Sequence, residues 1–112
     1  MITKGVKELV AEASQIITTY SAEDAIAMDS DPDTVLVDIR DIRELHRDGR
    51  VPGALHAPRG MLEFWVDPNS RYFKSIFGEP KSFVLFCAGG GRSALAALAL
   101  QQMGMTNVAH IG

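Results

Sequence analysis

The chain has 112 residues, 46% of them hydrophobic and 22% charged, which is enough for one compact core and too few for two ordinary domains. We therefore expect a single domain over residues 1–112. No run of the sequence approaches the roughly 18 apolar residues of a membrane span, so we also expect a soluble protein without a membrane partner. The net charge of −3 argues against nucleic acid as a partner, while a lone cysteine and a start without a secretory signal predict the reducing cytoplasm.

Short apolar runs alternate with helical stretches along the chain, which predicts an α/β fold with a mostly parallel sheet. In the first half, apolar residues three and four apart indicate a helix over 5–15, and β-branched residues indicate a strand over 16–19. Ser21 is a typical helix cap, so a second helix should run from there to about Met28. A strand over 35–39 and a helix-compatible segment over 40–47 follow.

The second half continues the same rhythm. A turn over 49–53 leads to a strand over 54–57, and the segments 61–66 and 71–77 read as two short helices. The apolar run 83–86 is the clearest buried strand. We expect a helix from Ser93 to about Met103, stopped by Gly104, and a last strand over 108–111, which makes five strands in all.

The chemistry suggested by this order centres on Cys87, which directly follows the strand 83–86 and precedes three glycines, Arg92 and Ser93. Ligands of open α/β sheets bind at the carboxyl ends of the strands. Glycines allow successive N–H groups to converge on one point, and Arg92 adds a permanent positive charge. This environment would lower the pKa of the thiol and favour the nucleophilic thiolate.

A plainer interpretation is that Cys87 is a small buried hydrophobe at the end of a strand. Three successive glycines argue against it, because each costs about 1 kcal/mol inside a regular element and so calls for a reason. A nucleotide-binding phosphate loop is also disfavoured, since no Gly-Lys-Ser/Thr follows the glycines. The loop therefore favours nucleophilic chemistry at sulfur.

Three segments resemble the rhodanese-like domain family. The first is Cys87-Ala-Gly-Gly-Gly-Arg-Ser, which looks like the active-site loop of that family. The second is Val37-Asp-Ile-Arg, followed by Glu44 and then Gly49-Arg-Val-Pro-Gly-Ala. The third is Gly104-Met-Thr-Asn-Val before the last strand, and the three occur in the family's order.

The resemblance implies a doubly wound sheet with helices on both faces and a sulfurtransferase reaction without a metal or organic cofactor. Cys87 would take sulfur from an anionic donor such as thiosulfate and pass it, as a persulfide, to cyanide or a thiol. Arg92 would assist Cys87 in catalysis. The loop amides would bind the charged sulfur, and the residues that supply them are Ala88, Gly89, Gly90, Gly91 and Ser93. An acceptor protein or a second copy of the chain could also be a partner.

Other functions within this fold stay open. Cysteine phosphatases that share it use five residues between Cys and Arg, whereas four lie between Cys87 and Arg92, and the shorter loop suits sulfur better than a tetrahedral phosphate. A docking module without catalysis usually loses the cysteine or the glycines, and both are present. A persulfide carrier that serves a partner protein would have the same motifs as an enzyme.

Two departures from the family pattern concern Arg50 and the end of the chain. Arg50 stands where the family more often has histidine, and we expect little catalytic effect because the turn is mainly structural. The sequence ends at Gly112, without the Gly-Gly-Phe segment and helix that usually follow the last strand. We therefore expect a hydrophobic patch beside that strand.

The remaining polar residues carry weaker signals. Asp38 and Arg40 could shape the site, although a charged pair at a strand end more often anchors neighbouring loops. Arg59, Glu63 and Trp65 could form the rim of the pocket; the alternative is that Phe64 and Trp65 are core and Arg59 is solvated. The three histidines have no metal-binding spacing, and nothing in the sequence brings any of them to Cys87; they are His46, His56 and His110.

Overall fold

The computed structural model describes residues 1–112 and contains one five-stranded sheet in which every neighbouring pair is parallel. The strand order is β1-β5-β4-β2-β3. The strands are β1 (Thr19–Tyr20), β2 (Thr34–Asp38), β3 (Leu55–His56), β4 (Ser82–Phe86) and β5 (Val108–Ile111). The predicted α/β class and the five parallel strands are thus confirmed.

The first helix precedes β1, and the other helices connect consecutive strands, as parallel pairing requires. Ser21 and Asp41 each form a capping box, which fixes where the second and third helices begin. No helix combines the length and the apolar composition needed to cross a membrane. The helices are α1 (Val6–Ile16), α2 (Ala22–Met28), α3 (Ile42–Asp48), α4 (Leu62–Val66) and α5 (Gly91–Gln102), with short 3-10 segments at Arg59–Met61 and Ser75–Gly78.

The main core lies on one face of the sheet, between the central strands and helices α1, α4 and α5. Val37 and Leu85 are fully buried there, one on each of the two paired strands β2 and β4. The small side chains of α5, such as Ala94 and Ala97, are also fully buried, so this helix lies close against the sheet. The core therefore holds the amino end of α5, where the glycine loop meets it, in a fixed position.

The opposite face is covered by α2 and α3, because side chains alternate between the two faces of a strand. The buried residues on this side are separate from the main core, and they are Ala25, Leu36, Leu45, Val84 and Ala109. Beside β5 an open apolar groove remains, whose lining includes one charged residue, Asp29. Its apolar lining is Ala25, Ile26, Leu36, Val51, Phe86 and Ile111. The hydrophobic patch expected beside the last strand is therefore present.

Two predicted elements differ from the structure. The first strand lies over Thr19–Tyr20, because α1 extends to Ile16 and occupies the start of the predicted strand. The predicted helix over 71–77 does not form. The Lys74 amide donates to the Trp65 carbonyl instead of to a residue of its own turn, and only the short 3-10 segment Ser75–Gly78 follows. Contact with α4 therefore outweighs the local helical pattern in this segment.

Candidate active site

Cys87 lies directly after β4, at the carboxyl ends of the parallel strands, where its sulfur receives hydrogen bonds from the following loop. The Gly90 amide donates to the Cys87 Sγ at 3.2 Å, and the Ser93 amide donates to it at 3.3 Å. Gly90 can turn its N–H inward because its φ is +87°, in the left-handed region that favours glycine. The chain therefore wraps around the sulfur within one short loop.

Fewer loop amides reach the sulfur than the sequence suggested. The amides of Gly90 and Ser93 donate the close hydrogen bonds to the sulfur, and the Gly89 amide adds a weaker one. Among the three glycines, only Gly90 has a positive φ. The helix that we expected to begin at Ser93 begins two residues earlier. The helix begins at Gly91 with Gly90 as its N-cap, so Ser93 lies within the first turn and its hydroxyl is free for other contacts.

The environment of the sulfur favours the thiolate. Partial burial on its own would raise the pKa of Cys87, but hydrogen bonds from the Ser93 hydroxyl and from the amides of Ser93, Gly90 and Gly89 outweigh it and lower the pKa below its ordinary value. The thiol is half-buried, so small molecules can reach it. Cys87 thus combines a stabilised anion with access from solvent.

His110 also belongs to this site, although nothing in the sequence associated it with Cys87. His110 lies on β5, is 2% exposed, and its Nδ1 is 2.9 Å from the Ser93 Oγ, which is in turn 3.5 Å from the Cys87 Sγ. Its Nε2 is 3.0 Å from the Thr19 Oγ1. The alternation of β5 was the available signal, since His110 falls on the same face as the buried Val108.

Arg92, predicted to assist catalysis, forms a two-pronged ion pair with Glu44 of α3. Its Nη1 and Nη2 donate to the two carboxylate oxygens at 2.6 and 3.0 Å. The hydrogen bonds from Arg92 hold the pKa of Glu44 at about 2, against an ordinary value of 4.5. The guanidinium thus holds α3 against the amino end of α5, with its charge near Cys87.

Asp38 and Arg40 form a second pair, almost completely buried at the end of β2. The Arg40 guanidinium donates to both oxygens of Asp38 and also to the Gly49 carbonyl at 2.9 Å. The Nε2 of His56 lies 2.7 Å from the Arg40 carbonyl. These contacts link the end of β2 to the loop after α3 and to β3, which is the arrangement of a loop anchor.

The sulfur opens onto a shallow cleft of about 270 Å³ that is formed mainly by the loop after α3. Arg50 lies in this cleft with Cys87, although the sequence suggested only a structural role for its turn. The lining is Arg40, Asp48, Gly49, Arg50, Val51, Phe86 and Cys87. Arg40 is paired with Asp38, and Asp48 is paired with Arg47, so Arg50 is the charge in the cleft without an ion-pair partner. Its positive charge favours anions.

The predicted rim residues lie elsewhere. Arg59 pairs with Glu63 at 2.7 Å, and neither contributes to the cleft at Cys87. Trp65 packs against the core, and the Lys74 ammonium lies 5.0 Å from the centre of its ring. Phe64 is not core, since it is 52% exposed. The helix α4, which carries three of these residues, contacts α5, and none of the predicted rim residues lines the cleft.

A thiol held by a glycine loop at the end of a parallel sheet is the arrangement implied by the sequence motifs, and the family comparison agrees. The model of the rhodanese-like domain matches residues 21–111. The chain belongs to the rhodanese-like domain family. No curated protein matches this rhodanese-like domain at a significant level.

Solved structures extend the comparison. A Rhodopseudomonas palustris protein described as a possible tyrosine phosphatase is 54% identical, with a TM-score of 0.95, over 99% of this chain and 86% of that one. A human single-domain sulfurtransferase is 25% identical, with a TM-score of 0.65, over 83% and 87%. A homodimeric polysulfide-sulfur transferase from Wolinella succinogenes is 27% identical, with a TM-score of 0.66, over 94% and 74%. The rhodanese-like domain thus belongs with a sulfurtransferase family.

Proposed function

We propose that this rhodanese-like domain is a sulfurtransferase that carries sulfane sulfur as a persulfide on Cys87. The observation that carries the proposal is the pair of amide hydrogen bonds, from Gly90 and Ser93, that converge on the sulfur. Fixed donors of this kind stabilise negative charge without reorganising during a reaction. They can stabilise the attacking thiolate and, after sulfur transfer, the charge of the persulfide.

The reaction has two displacement steps. The Cys87 thiolate attacks the sulfane sulfur of a donor such as thiosulfate, a new S–S bond forms, and the S–S bond of the donor breaks as sulfite leaves with the electron pair. An acceptor such as cyanide or a thiolate then attacks the outer sulfur of the persulfide. The S–S bond to Cys87 breaks and the thiolate is regenerated, so neither step needs a metal or an external oxidant.

The cleft supports an anionic donor. Arg50 and Arg40 both line it beside Cys87, but the charge of Arg40 is neutralised by Asp38 at 2.8 Å. Arg50 forms no ion pair, so its charge remains available to a sulfonate-like group. A free, half-buried thiol with a lowered pKa also fits the reducing cytoplasm that we propose as its location.

Phosphatase activity is the second candidate, because the Rhodopseudomonas palustris relative is described as a possible tyrosine phosphatase. Two features disfavour it. Four residues separate Cys87 from Arg92, and both terminal nitrogens of Arg92 are bound to Glu44. A phosphate held in this loop would therefore lack the free guanidinium fork that recognises its oxygens.

Intact mass spectrometry tests the proposal. Incubation with thiosulfate should add one sulfur atom to the chain, cyanide should remove it with release of thiocyanate, and Cys87→Ser should show no gain. Loading should slow as the pH falls below the pKa of the thiol, because the thiolate is lost. A parallel assay with a phosphomonoester should show no turnover. Failure to gain sulfur from thiosulfate and from polysulfide, with the thiol still alkylated by iodoacetamide, would refute the proposal.

A further inference from the structure

His110 is a buried titratable group that the two sulfur-transfer steps do not use. It is linked to Cys87 through one intermediate hydroxyl, in a chain of hydrogen bonds from Thr19 through His110 to Ser93 and then to Cys87. Ser93 is fully buried, and His110 is 2% exposed. Because these two internal members of the chain are shielded from water, their hydrogen-bond partners must be other groups of the protein.

The hydroxyl of Ser93 has one hydrogen and several acceptors that compete for it. The His110 Nδ1 lies at 2.9 Å, the Gly90 carbonyl at 3.2 Å, the Ile111 carbonyl at 3.4 Å and the Cys87 Sγ at 3.5 Å. If Nδ1 lacks a hydrogen, it is the nearest acceptor and takes the bond, and the thiolate loses a donor. If Nδ1 carries the hydrogen, it donates to the Ser93 oxygen and is removed from the competition.

We propose that His110 is a positioning residue for Cys87: as the neutral Nδ1–H tautomer it donates to Ser93 and directs the Ser93 hydroxyl hydrogen to the thiolate. The Thr19 hydroxyl supports this tautomer, because it can donate to the unprotonated Nε2. Every donor and acceptor in the chain is then paired. The inference rests on the proposed function in one respect, which is that Cys87 works as a thiolate.

The surroundings of His110 keep it neutral. Its neighbours are the Ser93 hydroxyl from α5, the Thr19 hydroxyl from β1 and the apolar Leu85, which is its partner in register on β4. The ionisable group linked to it by hydrogen bonds is Cys87, through Ser93. Burial lowers the pKa of His110 below its ordinary value, so the neutral ring is favoured at physiological pH. A neutral ring can exchange tautomers, which a charged ring with hydrogens on both nitrogens cannot do.

The order of the hydrogen bonds reverses when the thiol is protonated. The Cys87 S–H then donates to the Ser93 oxygen, Ser93 donates to Nδ1, and Nε2–H donates to Thr19. When the thiol ionises, each group in the chain passes a hydrogen to the next, from Cys87 towards Thr19. One proton in total is released to solvent at the exposed Thr19. The two tautomers of His110 thus correspond to the two ionisation states of Cys87.

The pH dependence of alkylation by iodoacetamide tests the inference, because it measures thiolate without requiring sulfur transfer. In His110→Leu the donor to Ser93 is lost, so the midpoint of the profile should move to higher pH. Losing a hydrogen bond to a charged group should reduce the thiolate fraction below that midpoint about tenfold. The remaining thiolate is more basic and reacts faster, so the net rate of alkylation should fall about three- to tenfold. His110→Gln, whose amide reaches the Nε2 position, should behave similarly without introducing an apolar side chain.

Three further variants separate positioning from structural support. His110→Asn can place an N–H near the Nδ1 position, so it should retain most of the wild-type profile. His110→Leu made in a Ser93→Ala background should add no further change, because the inferred effect passes through the Ser93 hydroxyl. His46→Leu replaces an exposed histidine on α3 and should leave the profile unchanged.

The inference is overturned if His110→Leu and His110→Gln keep the wild-type profile, or if the His110→Leu effect is just as large in the Ser93→Ala background. It is supported if the profile moves only where the Ser93 hydroxyl is present. Mass spectrometry of sulfur loading distinguishes the two proposals. Wild-type protein that accepts no sulfur but shows the expected alkylation pattern contradicts the sulfurtransferase function alone.

Discussion

Gly90 offers the sharpest test of how the loop holds the sulfur. Its φ of +87° lies in a region where an L-residue is disfavoured by about 1–2 kcal/mol. A Cβ added there would also lie 3.1 Å from the carbonyl carbon of Gly112, which must shift by a few tenths of an ångström. We expect Gly90→Ala to lower the free energy of unfolding by about 1–2 kcal/mol, because the backbone strain dominates over this small shift.

For a chain of this size, 1 kcal/mol corresponds to a change in Tm of about 4 °C, so thermal unfolding should show a decrease of about 4–8 °C. Gly89→Ala is the matched control, since Gly89 has no positive φ and an added Cβ would meet nothing within 4 Å. Its Tm should stay within about 2 °C of wild type. Equal values of Tm for the two variants would refute the conclusion that the positive φ of Gly90 shapes the loop.

Three other perturbations follow from the charged groups around the site. Asp38→Ala should reduce the free energy of unfolding by about 3 kcal/mol in urea titrations, because it leaves the Arg40 charge nearly buried without its partner; the exposed Asp48→Ala should cost far less. Glu44→Gln should be less stable than wild type at neutral pH, and the difference in the free energy of unfolding should shrink as the pH falls from about 4.5 to about 2. The reason is that the ion pair with Arg92, which lowers the pKa of Glu44, stabilises the fold only while the carboxyl is ionised. A constant difference in urea midpoints across that pH range would contradict this. Arg50→Ala should raise the KM for thiosulfate about three- to tenfold with little change in kcat, and an unchanged KM in steady-state kinetics would exclude Arg50 from donor binding.

Local patterns predicted most of the elements because their causes are local. The strand over 83–86 is a continuous apolar run, and Ser21 is followed by a complete capping box. The prediction of a helix over 71–77 is wrong for the opposite reason. Its helical pattern competes with a backbone hydrogen bond from Lys74 to Trp65, a contact formed only after α4 has packed.

The same contrast between local and long-range causes applies to the site. The fold class, the position of Cys87 at a strand end and the glycine loop after it could all be predicted from the amino-acid order, because they follow from hydrophobic pattern and from the backbone freedom of glycine. The approach of Glu44 to Arg92, of Arg50 to the cleft and of His110 to Ser93 became visible in the folded chain. Each of these contacts brings together residues that are far apart in the chain. Such contacts depend on strand order and helix packing rather than on any local signal.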